Sequence, residues 1–229
     1  MKQLALGIIE PPASSFDNFV SGRNAELLAA LRNQCQGDAG ERIIYIWGVP
    51  GCGRTHLLGA MAQALLIERR PAVWFPDAPG DGSQFVLVDD VDCLDDARQV
   101  ALFGVFNAVR EAGGCLLAAG NVPPAQLRLR PELLTRLAWG LVYHVHSLDD
   151  DDKAEALERH AQARGLHLPT EVSAYLLRHI QRDLPSLMAI LDALDQFSLE
   201  AQRPITIPLL REILLSAKLA DASVKEGTA

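Results

Sequence analysis

Apolar and polar positions follow two different rhythms along this chain. Up to about residue 148, short solid apolar runs alternate with stretches of helical period. The runs at 42–47, 72–75, 84–88, 115–119 and 141–146 are each four to six residues long. Runs that short predict strands, and those over 42–47, 84–88 and 115–119 read as strands buried in a parallel sheet. Helices are predicted between them over 25–35, 56–68, 100–112 and 131–137, the first with Leu27, Leu28 and Leu31 on one face. Five strands alternating with helices predict a doubly wound α/β fold with a five-stranded parallel sheet. Beyond Leu148 the solid runs stop. Helices are predicted over 149–164, 169–179, 184–201 and 208–219, with acids opening the first and Pro185 in the first turn of the third. Leu187, Ile190, Leu191 and Leu194 recur at helical spacing, as in a small all-helical lobe. Residues 1–14 carry Pro11-Pro12 and no helix-length pattern, so they read as a mobile arm, and 220–229 read as a frayed tail.

Composition narrows the classes. The chain has 229 residues, 49% of them hydrophobic, enough for one medium domain or a domain plus a lobe. No run is long enough to cross a membrane, and the start lacks the form of a signal peptide. Cysteines at 35, 52, 93 and 115 form no C-x-x-C pair, which predicts free thiols in a reducing cytoplasm. A net charge of −8 argues for little direct DNA binding. His144 and His146 alternate along the last predicted strand and share a face, without a third ligand spaced to complete a metal site.

The chemistry centres on Gly48-Val49-Pro50-Gly51-Cys52-Gly53-Arg54-Thr55. This is a phosphate-binding loop between a strand and a helix, with Arg54 where the pattern G-x-x-x-x-G-K-[ST] has Lys. Its glycines let backbone N–H groups face a phosphate, and Thr55 occupies the place of a Mg²⁺-holding hydroxyl. Arg is a planar fork where Lys is a compact point charge. The exchange predicts a nucleotide-regulated protein rather than a fast ATPase. The strand over 84–88 runs into Asp89 and Asp90, at the sheet edge where open α/β folds bind ligands. Asp89 is expected to steer Mg²⁺ and Asp90 to orient water. Asn121 ends the fourth strand, where it is either a γ-phosphate contact or a plain turn residue. Asp92, Asp95 and Asp96 read as surface or helix-start carboxylates.

A phosphate-loop sheet followed by a helical lobe resembles the AAA+ proteins, and further segments resemble one branch of them. Ser15-Phe16-Asp17-Asn18-Phe19-Val20-Ser21-Gly22-Arg23-Asn24 resembles the opening of the AAA+ module of DnaA, the bacterial replication initiator. Leu133-Leu134-Thr135-Arg136-Leu137-Ala138-Trp139-Gly140-Leu141 resembles its arginine-finger segment, and Arg182-Asp183-Leu184 its sensor-2 segment. The initiator continues into a helix-turn-helix domain that this sequence does not show. Arg54 in the loop, the text from Ser147 to Pro208, and Gln3-Leu4-Ala5-Leu6 near the start are similar to the Hda family of DnaA-related regulators.

The resemblance implies an AAA+ core over 15–147, a helical lid over 148–219 and a clamp-binding arm over 1–14. Phe19 and Val20 are expected at the base, Pro50, Gly51, Cys52, Gly53, Arg54, Thr55 and His56 around the phosphates of ADP or ATP with Mg²⁺, and Arg182 over them from the lid. It further implies that Arg136 acts in trans on DnaA-bound ATP, and that Gln3, Leu4 and Leu6 dock on the DNA polymerase III β sliding clamp. A homodimer is left open. The connection over 76–83 is shorter than the family's, which leaves the surface there unassigned. The rival reading is a self-sufficient AAA+ ATPase, such as a loader or truncated initiator, because Asp89 and Asp90 are both present. A small-molecule kinase fits less well, because the fifth strand leads into a helical lobe.

Overall fold

The computed structural model describes residues 13–37, 40–70, 72–77, 85–179 and 184–215. Gln3, Leu4, Leu6, Arg182 and the tail over 220–229 lie outside these residues, as does most of the connection over 76–83. The chain divides into two compact units that meet between Leu148 and Asp149.

In the first unit the five expected strands form one sheet. They are β1 (Ile43–Trp47), β2 (Ala72–Trp74), β3 (Phe85–Val88), β4 (Cys115–Gly120) and β5 (Leu141–His144). All pairings are parallel, in the order β2-β3-β4-β1-β5. The helices are α1 (Ala25–Gln36), α2 (Arg54–Ile67), α3 (Asp96–Ala112) and α4 (Pro131–Trp139). Successive strand residues face opposite sides, and the two apolar layers follow from that. Ile44, Ile46, Leu87, Leu117 and Ala119 pack with Leu57, Leu58, Met61 and Leu65 of α2 and Leu27, Leu28 and Leu31 of α1. Ile43, Tyr45, Val86, Val88, Leu116 and Ala118 pack with Leu102, Phe106 and Val109 of α3 and Leu133 and Leu137 of α4. Burial on both faces explains why β3 and β4 read as unbroken apolar runs.

α3 starts at Asp96, four residues before the start expected from periodicity. Its first turn is polar and carries no apolar rhythm. Asp95 caps it by accepting from the Arg98 N–H, and buried Gln99 donates to Leu94 O and accepts from the Arg130 N–H. Buried Asn24 fastens the start of α1 to the strand exit. Its side chain donates to His146 O at 2.9 Å and accepts from the His146 N–H at 2.7 Å.

The second unit is helical: α5 (Asp150–Ala163), α6 (Thr170–His179), α7 (Leu184–Ala201) and a further helical stretch over 207–215. Asp149 and Asp152 form a reciprocal capping box that starts α5. Leu157, Val172, Leu176, Leu187, Leu191, Leu194, Leu209 and Leu210 make its core. One ionic group is set into that core. Asp192, 7% exposed, lies 2.6 Å from His160 Nε2 and 2.9 Å from Arg164 Nη1.

Asp192→Ala is expected to destabilise this unit by about 2–3 kcal/mol in urea unfolding. That is below the roughly 3–5 kcal/mol for breaking a fully buried pair, because Arg164 is partly solvated. Asp192→Asn, which still accepts a hydrogen bond, is expected to lose less.

Candidate functional site

The sheet order decides which loops meet. β4 lies between β3 and β1, so the carboxyl ends of these strands bring Asp89, Asn121 and the phosphate loop side by side. The loop itself needs glycine for steric reasons. Gly51 and Gly53 have φ of 80° and 103°, in the left-handed region. A Cβ on Gly53 would stand 2.8 Å from the Phe19 ring, and one on Gly48 would stand 2.5 Å from Val145 O.

Arg54 opens α2 and is the hub of the site. Its side chain is only 9% exposed. Its Nη2 donates to Asn121 Oδ1 at 2.7 Å and lies 3.7 Å from Asp90 Oδ1. Its Nη1 is buried with no hydrogen-bond partner. One guanidinium therefore joins the phosphate loop, the acidic strand end and the fourth strand. Thr55, the next residue, donates its hydroxyl to Asp89 Oδ2 at 2.7 Å. A hydroxyl and a carboxylate placed together are the hard oxygen donors that suit Mg²⁺. Asp90 adopts a left-handed backbone with φ of 44°, and its N–H donates to Asp89 Oδ1. Burial, reinforced by the Asp89 charge, pushes the Asp90 carboxyl above its ordinary value, while Arg54 opposes the rise. Cys52, within the loop, is buried, and burial pushes its thiol above its ordinary value while Arg54 opposes the rise.

One residue of the site has a different role from the one expected. Asp92 is no mere surface carboxylate. Its two oxygens accept from the backbone N–H of Asn121, at 3.0 Å, and from its side-chain amide. A single helical turn, Val91–Cys93, swings Asp92 back towards β4. Asn121 is thus oriented from one side by Asp92 and spends its amide oxygen on Arg54. Asp95 is a helix cap, as expected.

The other expected residues fall into two places. Phe19 lies against Gly53, with its ring centroid 5.6 Å from that of His56, and Val20 follows it half-buried. His56 Nε2 lies 3.0 Å from Ser15 O, so this histidine ties the entering segment to α2. Pro50 is exposed at the tip of the loop. Arg136 is elsewhere on the unit. Its guanidinium lies over Trp139, 4.2 Å from the ring centroid, near Phe106 and Phe103 at 5.6 and 5.9 Å. His144 stacks on Trp47 with centroids 4.0 Å apart and meets His146 edge-on. These contacts agree with a shared face. Among the described residues no group of three or more His, Cys, Asp or Glu is arranged to hold a metal ion, and no helix is long and apolar enough to cross a membrane.

Comparison with known proteins bears on both units. Residues 150–214 match the family described as Hda, lid domain. Domain III of the replication initiation protein DnaA from Thermotoga maritima superposes with a TM-score of 0.73 at 20% identity, covering 90% of this chain and 96% of that one. AMPPCP-bound DnaA from Aquifex aeolicus gives 0.70 at 19% identity, covering 82% of this chain and 67% of that one. A Thermotoga maritima RuvB variant gives 0.63 at 14% identity, over 90% and 72%. The fold is therefore that of the AAA+ proteins, and residues 150–214 of the helical unit are similar to the Hda lid domain.

Asp92→Ala is expected to lower stability by about 1–3 kcal/mol in urea unfolding, the cost of leaving the part-buried Asn121 groups unsatisfied. Asp92→Asn should recover part of the loss by accepting the backbone N–H. Equal midpoints for Asp92→Ala and the unsubstituted protein would show that the contact carries no stability.

Proposed function

We propose that this chain is a nucleotide-bound AAA+ regulator that turns over ATP held by DnaA. The observation that carries the reading is the Hda-type lid over 150–214, joined to a phosphate loop whose cation is Arg54. The residues fit a nucleotide. Gly51 and Gly53 free the backbone N–H groups, and the unpartnered Nη1 of Arg54 has a donor to give. Thr55 and Asp89 supply oxygen ligands for Mg²⁺. In this reading ADP is the resident nucleotide, and the bound metal supplies charge neutralisation at the phosphates.

In this reading the chain's own ATPase is weak or absent. Arg54 commits its Nη2 to Asn121, and its charge faces Asp90, the carboxylate that would orient water. The catalytic use of the fold is then in trans. Arg136 of this chain approaches the γ-phosphate of ATP on a neighbouring DnaA. Water attacks the γ-phosphorus, the bond to the β–γ bridging oxygen breaks, and ADP and phosphate result. A guanidinium there stabilises the charge spreading over the transferring group; in GTPases such residues are worth about 10³–10⁵ in rate. Gln3, Leu4 and Leu6 dock on the β sliding clamp, and Arg182 senses the phosphates from the lid. Loss of ATP from DnaA would repress re-initiation of chromosome replication. A second reading, a self-sufficient AAA+ ATPase, is favoured by the intact Thr55–Asp89 pair.

The deciding measurement follows labelled ATP prebound to DnaA, with DNA-loaded clamp, on addition of this protein and ADP. Faster loss is expected, and Arg136→Ala should remove about 10³-fold of the stimulation. Rapid turnover of free ATP by this protein alone would favour the second reading. Gln3→Ala combined with Leu4→Ala should weaken clamp binding by about 10-fold or more, since burying one leucine is worth roughly 1.5–3 kcal/mol. Unchanged clamp binding would remove the docking role.

A further inference from the structure

We propose that Trp139 is the positioning residue of Arg136, holding its guanidinium on an open aromatic platform from which it is delivered to an oxyanion brought by a partner. This rests on the trans reading of Arg136 above.

The platform is built from α3 and α4. Arg136 and Trp139 are three residues apart on α4 and so share a face. The guanidinium sits 4.2 Å from the indole centroid, with Phe106 and Phe103 of α3 behind it. Phe106 is buried, whereas the indole of Trp139 is 57% exposed. A second cation shares the ring: Arg110 of α3 lies 5.5 Å from the Trp139 centroid. Among the described residues neither Arg110 nor Arg136 has a carboxylate within ion-pair distance. The Nη1 of Arg136 is buried and makes no hydrogen bond.

Two guanidiniums share one ring, and neither is held in an ion pair among the described residues. Their chemical complement is an anion supplied from outside. The way Arg136 is held matters as much as its charge. A carboxylate would engage the guanidinium fork with two charge-assisted hydrogen bonds and compete with phosphate for it. A ring face attracts the cation through its quadrupole and consumes none of its N–H donors. Arg136 is therefore fixed in direction while its hydrogen-bonding capacity stays unspent. A phosphate oxygen offers stronger bonds than the ring and takes the group over at little reorganisation. Holding a reacting group in place before encounter is a direct source of rate. Arg110 raises the local potential and opposes any drift of Arg136 along the indole.

A merely structural stacking contact makes a different prediction, so the test separates turnover from docking. Hydrolysis of ATP prebound to DnaA is measured over a range of concentrations of the full-length protein with clamp. Trp139→Ala is expected to lower the maximal rate by about tenfold, while the half-saturating concentration changes less than about threefold. Trp139→Phe, which keeps a ring face, should regain most of the rate. A higher half-saturating concentration at unchanged maximal rate would overturn the proposal and make Trp139 a docking residue. A second arm needs no partner. The chain has three tryptophans, so 5-fluorotryptophan labelling gives three ¹⁹F resonances, and Trp139→Phe identifies the third. Arg136→Ala should shift the Trp139 resonance and leave those of Trp47 and Trp74 in place. A Trp139 resonance that ignores Arg136 would overturn the platform. If the unsubstituted protein does not accelerate hydrolysis, the trans reading fails and the positioning role fails with it; the resonance shift then decides only whether the platform holds Arg136.

Discussion

A guanidinium enclosed by protein is costly unless polar groups meet it, and Arg54 imposes that demand on the carboxyl edge of the sheet. Its side chain is enclosed, so each loop that reaches it is constrained by it. The fourth strand must end in an acceptor, which Asn121 provides. The third must end in negative charge, which Asp90 provides from a strained left-handed backbone. Asn121 in turn must be turned the right way, and Asp92 does that. Arg54, Asp90, Asn121 and Asp92 are linked in one polar network. Networks of this kind, enclosed and mutually oriented, specify geometry more strongly than their separate hydrogen bonds suggest.

The same network fixes how Arg54 is held. A lysine at position 54 would be a mobile point charge, free to follow a phosphate. Arginine is anchored by its own fork. It keeps one nitrogen for a ligand and uses another to bind the protein. Arg136 sits apart from this network on an aromatic surface. Two arginines are thus held in opposite ways, one enclosed by polar groups and the other laid on rings.

The sheet and its loop were legible in the sequence because both are local signals. Strands buried on two faces leave solid apolar runs, and β3 and β4 are buried throughout. The phosphate loop is written in consecutive residues. What escaped was written in contacts between distant ones. Asp92 looked like any acid after a strand, because only the turn over Val91–Cys93 carries it back to Asn121. The first turn of α3 was missed because its residues are polar, although Gln99 is buried there through hydrogen bonds rather than apolar packing. The inward turn of Arg54 had no sequence signal either; a long polar side chain gives no hint of whether it will be enclosed. Asn24 is a similar case, since its grip on His146 spans 122 positions.

The contact between Gly53 and Phe19 limits how this chain can change over evolutionary time. The ring occupies the space in which any other residue at 53 would place its Cβ. The two positions are therefore not free to drift one at a time. A lineage that shrank the side chain at 19 would open room at 53, yet the left-handed backbone there would still penalise a filled position. A lineage that altered 53 first would displace the aromatic ring and the segment that carries it. Sequence change around the glycine-rich loop is thus channelled into a fixed order, with the aromatic position moving before the glycine.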